Sequence, residues 1–155
     1  MAIFTATEGL EIAMEIEKNG EVFYNNIAAS SADPELKKLF ESLAIQEQGH
    51  HKVFQKMLGS VKPAIGKPAV EYDQYEIYLK VALENALFAG PDKALSLAKE
   101  AKDRETALRT AMGFEKDTLL FFYDLRDLVS EADQEALTQI IIEEKKHIRL
   151  LMDML

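Results

Sequence analysis

Residues 43–54 read LAIQEQGHHKVF and residues 140–151 read IIIEEKKHIRLL. In each stretch a helical apolar seam is broken midway by a Glu and, three residues later, by a His. Glu47 and His50 stand between Leu43 and Phe54, and Glu144 and His147 stand between Ile140 and Leu151. Side chains three apart on a helix project from one face about a turn from each other, so both pairs point where a core belongs. Two further seams are broken in the same way, by Glu17 between Ala13 and Tyr24 and by Glu115 between Ala111 and Phe122.

The surrounding chain reads as all-α. Leu10, Ala13, Gly20, Tyr24 and Ile27 recur at the three-four spacing of one helical face over about residues 7–29. Ser31-Ala32-Asp33-Pro34-Glu35 reads as a turn and restart, with Asp33 as cap and Pro34 in the first turn, where its missing N–H costs nothing. The second helix carries Leu36, Phe40, Leu43, Phe54 and Met57, and Gly59 is a plausible stop. Pro63, Gly66 and Pro68 mark a surface connection, followed by a helix over roughly Tyr72 to Phe88. Gly90-Pro91-Asp92 then starts a further helical stretch through Leu95 and Ala98. Leu108, Ala111, Phe122, Leu125 and Val129 share a face of the third bundle helix, and Ser130 to Asp133 has the form of a capping turn. The last helix presents Leu137, Ile140, Leu151 and Met154. Strand alternation and a glycine-rich phosphate loop are both missing from the sequence, so a nucleotide-binding α/β fold has no support.

Four carboxylates facing a packed interior would each cost several kcal/mol or take up a proton, unless something positive lies between them. Two divalent ions balance four such charges. Neutral imidazoles add nitrogen ligands without disturbing that balance, so Glu17, Glu47, His50, Glu115, Glu144 and His147 form a chemically closed set.

The spacings allow a geometric test. In an antiparallel hairpin, residues at one height are nearly equidistant from the turn. The midpoint of Glu17 and Glu47 is Ala32, inside the first turn, and that of Glu115 and Glu144 falls between Val129 and Ser130, at the second. The halves also repeat. Glu17-Lys18-Asn19 with Phe23 parallels Glu115-Lys116-Asp117 with Phe121 at an offset of 98, and Glu47 to His50 parallels Glu144 to His147 at an offset of 97. A duplicated hairpin supplying Glu plus Glu-x-x-His builds a pseudo-twofold site around two metals.

Composition narrows the partners. The 155 residues, 48% apolar, suffice for one domain with its own core. A net charge of −9 argues against nucleic acid and against an anionic membrane surface. The chain has no Cys, which excludes disulfides, thiolate zinc sites, iron–sulfur clusters and cysteine nucleophiles. The first twenty residues lack the basic stretch and apolar core of a secretory signal, and no window approaches a membrane span, so a soluble cytoplasmic protein is the expectation.

Through IEKNGEVFY (16–24), LAIQEQGHHKVF (43–54), FEKDTLLFFY (114–123) and IIEEKKHIRLL (141–151), the chain resembles the rubrerythrin-like branch of the ferritin-like di-iron carboxylate superfamily. The resemblance implies one ferritin-like four-helix bundle over 1–155: hairpin 1 at about 5–59, a long crossover with additional helix at about 60–103, and hairpin 2 at about 104–155. It also implies that the metals are iron, with manganese an alternative that the ligand types equally allow. The chain departs from that family in two places. It cannot carry the four-cysteine rubredoxin domain, and where a further Glu usually follows one turn after the first on the third helix it has Thr118. The redox-linked movement of an iron between that Glu and a His lacks its carboxylate here.

The other polar residues near the seams have plainer readings. His51, whose counterpart is Ile148, reads as an exposed helical His, Glu21 as solvated, and Glu143, whose counterpart is Gln46, as lying off the seam. Tyr24 either donates its hydroxyl to a ligand carboxylate, as the resemblance implies, or is an amphipathic core residue; its counterpart Phe122 cannot donate. The expected function is reduction of peroxide or dioxygen at a di-iron site, with electrons from an external donor and a homodimer as the assembly. Iron handling, by ferroxidase-linked storage or delivery, and a metal-stabilised binding protein are the alternatives.

Overall fold

The computed structural model describes residues 5–61 and 90–155. Its elements are all helices: α1 (Ala6–Ser30), α2 (Pro34–Ser60), α3 (Pro91–Glu100), α4 (Arg104–Arg126) and α5 (Glu131–Asp153). Among the described residues there is no strand, and no helix is long and apolar enough to cross a membrane.

Local chemistry sets the helix ends. Thr5 accepts from the Glu8 N–H at 3.2 Å while the Glu8 carboxylate accepts from the Thr5 N–H at 2.9 Å, a reciprocal capping box at the start of α1. Asp33 accepts from the N–H groups of Glu35 and Leu36, with Pro34 in the first turn as expected. Ser130 caps α5 through the Asp133 N–H. Gly90 precedes Pro91 at the start of α3 with φ of 109°, a conformation that favours glycine.

The helices form two hairpins, α1 with α2 and α4 with α5, and pack so that α1 lies against α4 and α2 against α5. The α3 helix lies on α1 through Ala94 and Ala98, four apart and both buried, whose small side chains let the backbones approach. Leu10, Phe23, Phe40, Leu43, Phe54, Leu108, Phe122 and Leu137 are fully enclosed, each contributing about 1.5–3 kcal/mol of burial. Arg104 ties the ends together. It pairs with Asp33 in the first turn and donates from Nε and Nη2 to the Met154 carbonyl, at 3.1 and 2.9 Å, at the end of α5.

Two boundaries differ from the sequence reading. Met154, read as part of the last helix, follows its end at Asp153. Val129 is not on the third bundle helix, because α4 ends at Arg126; Val129 is buried from within the turn that follows. The connection at Pro63 to Pro68 and the helix expected at about 72–88 lie outside the described residues.

Candidate metal centre

Each bundle helix brings its seam polar residues to one level: Glu17 from α1, Glu47 and His50 from α2, Glu115 from α4, Glu144 and His147 from α5. Five of the six are fully buried and His50 is 4% exposed. Their potential ligand atoms fall into two sets, each within 4.8 Å: Glu17, Glu47, His50 and Glu144 in one, and Glu47, Glu115, Glu144 and His147 in the other. Glu47 and Glu144 belong to both.

Glu144 lies between the imidazoles. Its Oε1 is 2.8 Å from His50 Nδ1 and its Oε2 is 2.9 Å from His147 Nδ1. His50 Nδ1 is also 3.5 Å from Glu17 Oε2, and His147 Nδ1 is 3.4 Å from an oxygen of Glu47 and from one of Glu115. The rings are 5.7 Å apart and 20° from parallel. Despite these short approaches, both oxygens of Glu17, Glu47 and Glu144, one of Glu115 and both Nδ1 atoms lack an aligned hydrogen-bond partner. Buried polar atoms are rarely left so in number. Atoms that crowd together without hydrogen-bonding one another could hold shared cations, and the donor types fit hard or borderline metals such as iron and manganese.

The packing leaves room for this at Gly20, one turn beyond Glu17. A Cβ there would lie 2.7 Å from Glu47 Oε2 and 2.9 Å from Phe114 Cε1, so a glycine is retained in mid-helix despite its propensity cost. The repeat places Thr118 at the corresponding position of α4. It is fully buried, and its hydroxyl has no partner among the described residues.

Outside the ligand sets, three contacts orient them. The fully buried Tyr24 donates its hydroxyl to Glu115 Oε1, while its ring stacks on Phe40 with centroids 5.6 Å apart; the two readings of Tyr24 are therefore both realised in the geometry. His50 Nε2 donates to Glu143 Oε2 at 2.6 Å, and His147 Nε2 donates to Gln46 Oε1 at 3.0 Å. The outer nitrogen of each imidazole is thus held from the opposite hairpin, which leaves Nδ1 to face the cluster.

Without cations, protons take their place. Burial first, then the charge of Glu144, raises Glu17 well above the ordinary carboxylate range; burial, then Glu17, does the same to Glu47. Burial and the nearby Glu144 push Glu115 up to about 8. For His50 and His147 burial favours the neutral ring, but it is outweighed by the negative carboxylates close beside them, chiefly Glu144 for His50 and both Glu115 and Glu144 for His147. They rise to about 9 and about 10. Glu144 is lowered: burial opposes its charge, but the two imidazoles close beside it, His147 and then His50, overcome that. Tyr24 is raised by burial and then by Glu115, so its hydroxyl remains a donor.

Glu143 is off the seam and in neither ligand set, yet its side chain reaches His50 across the helix interface. Two readings of the sequence, those of Glu21 and His51, need correction. Glu21 is not solvated: its side chain is 16% exposed and paired with Lys18 at 3.1 Å. His51 is half-buried and not exposed, though it too lies outside the cluster. The pairing of Gln46 and Glu143 at one repeat position was the available signal for their common role.

Residues 8–155 match the family model for rubrerythrin. Among solved structures, a Thermotoga maritima protein described as a ferritin-like diiron-carboxylate protein superposes with a TM-score of 0.70 and 26% sequence identity, over 99% of this chain and 96% of that one. No curated protein matches.

Proposed function

Because this chain belongs to the rubrerythrin family, we propose that it is a cytoplasmic di-iron oxidoreductase, reducing peroxide or dioxygen with electrons from a separate donor. The observation that carries the reading is the pair of overlapping ligand sets, closed by Glu47 and Glu144 and buried in the bundle. Mixed carboxylate and imidazole ligation suits iron or manganese, and iron follows from the family.

Two bound ferrous ions would supply the two electrons that, with two protons, convert hydrogen peroxide to two molecules of water. The protein's part is to hold and shield. Glu17 with His50, and Glu115 with His147, would provide the unshared ligands of the two positions. Tyr24 fixes Glu115 by its hydrogen bond, and Glu143 and Gln46 fix the ring planes. Phe54 and Phe122, in contact at 5.1 Å between centroids, belong to the buried apolar packing that keeps bulk water out. These 155 residues contain no Cys for a thiolate-bound iron relay, which supports the reading that a separate donor supplies the electrons.

Stopped-flow mixing of the ferrous-loaded protein with hydrogen peroxide tests the proposal. Oxidation much faster than that of free ferrous ion is expected. A rate equal to the free ion would overturn it.

A further inference from the structure

The two ligand sets match in type: each has one Glu of its own, one His and the two shared acids. The imidazoles differ in what backs them. His50 donates to the carboxylate of Glu143 at 2.6 Å, whereas His147 donates to the neutral amide of Gln46 at 3.0 Å. Gln46 and Glu143 are the same position of the internal repeat, 97 residues apart. A carboxylate that accepts the outer N–H draws the proton toward itself and raises electron density on the ligand nitrogen, and an amide does so far less. Glu143 also sets an additional acidic group beside one position only, on a side chain that is 47% exposed and in neither ligand set.

We propose that Glu143 is a positioning residue that makes the two metal positions unequal, so that the position at Glu17 and His50 fills ahead of the one at Glu115 and His147. The inference rests on the metal-binding reading above but not on peroxide chemistry. It implies that under limited supply the protein accumulates a half-loaded form with its ion at His50.

The test is titration of metal-free protein with cobalt(II) in the absence of oxidant, read by ligand-field absorption and by calorimetry. Two steps separated by about tenfold or more are expected, since loss of such an outer partner typically changes affinity by about 10- to 100-fold. In Glu143→Gln the tighter step should weaken by about tenfold while the second stays within about twofold, with two ions still bound. Gln46→Glu should tighten the second step and leave the first in place. These variants also guard against a simple folding defect, because one loses and the other gains affinity at chemically matched positions. Two equal steps in the unmodified protein, or a Glu143→Gln variant that weakens both steps alike, would overturn the inference and leave the peroxide proposal standing. Unequal steps with no acceleration of the peroxide reaction would do the reverse.

Discussion

Stripping the metals should give the protein a stability that falls steeply as the solution becomes more alkaline. In the folded, metal-free chain Glu115 keeps its proton up to about 8, against 4.5 for an ordinary Glu, so from 4.5 to 8 the native state binds a proton that the unfolded chain has released. His50 at about 9 and His147 at about 10 act with the same sign above their ordinary 6.5. A group whose native value is raised stabilises the fold fully below its unfolded value and loses that contribution as pH climbs through the native one. Over pH 6.5 to 8 all three therefore push downward. One extra native proton corresponds to about 1.4 kcal/mol per pH unit. At about 2–4 °C per kcal/mol for a chain of this size, that is roughly 3–6 °C per pH unit as the least fall in unfolding temperature. Glu144, shifted the other way, contributes only at acid pH and does not oppose the trend. Thermal unfolding followed by circular dichroism, with and without bound metal, measures this directly. The loaded protein should show no such decline, because cations replace the protons and the same surface groups are present in both samples. A metal-free unfolding temperature that is flat or rises across the window would refute the argument.

Three other outcomes follow from named contacts. Gly20→Ala sets a methyl 2.7 Å from Glu47 Oε2 and 2.9 Å from Phe114, so metal affinity should fall by about tenfold or more while the metal-free fold changes by about 1–3 kcal/mol at most; cobalt titration and thermal melts separate the two effects. Tyr24→Phe removes the donor that orients Glu115 and should weaken metal binding by about tenfold, with helical content by circular dichroism unchanged. Phe122→Ala opens a cavity against Phe54 and should cost about 3–5 kcal/mol, measured by urea denaturation of the loaded protein.

The parts of this structure legible in the sequence are those governed by helical periodicity. Glu17, Glu47, Glu115 and Glu144 stand out because each replaces an apolar residue on a regular seam, and their levels follow from counting residues to Ala32 and to the Val129–Ser130 boundary. Asp33 and Ser130 likewise act through neighbours two or three residues away. The contact of Glu143 with His50 and the burial of Glu21 were not legible, for the opposite reason. A position off the seam is solvated only if no neighbouring helix lies within reach of its side chain, and that depends on how α5 sits against α2 and on what covers α1. The role of Gly20 was legible as a small seam residue but not as the space for Glu47, since the distance that requires it is between helices.

The split of Gln46 and Glu143 bears on why two like hairpins should be joined in one polypeptide at all. When a short hairpin pairs with an identical twin, every substitution appears twice and the two ends of the centre must stay the same. Fusion lifts that constraint: a change can be kept on one side only, so a cavity that began with interchangeable halves can acquire a first seat and a second.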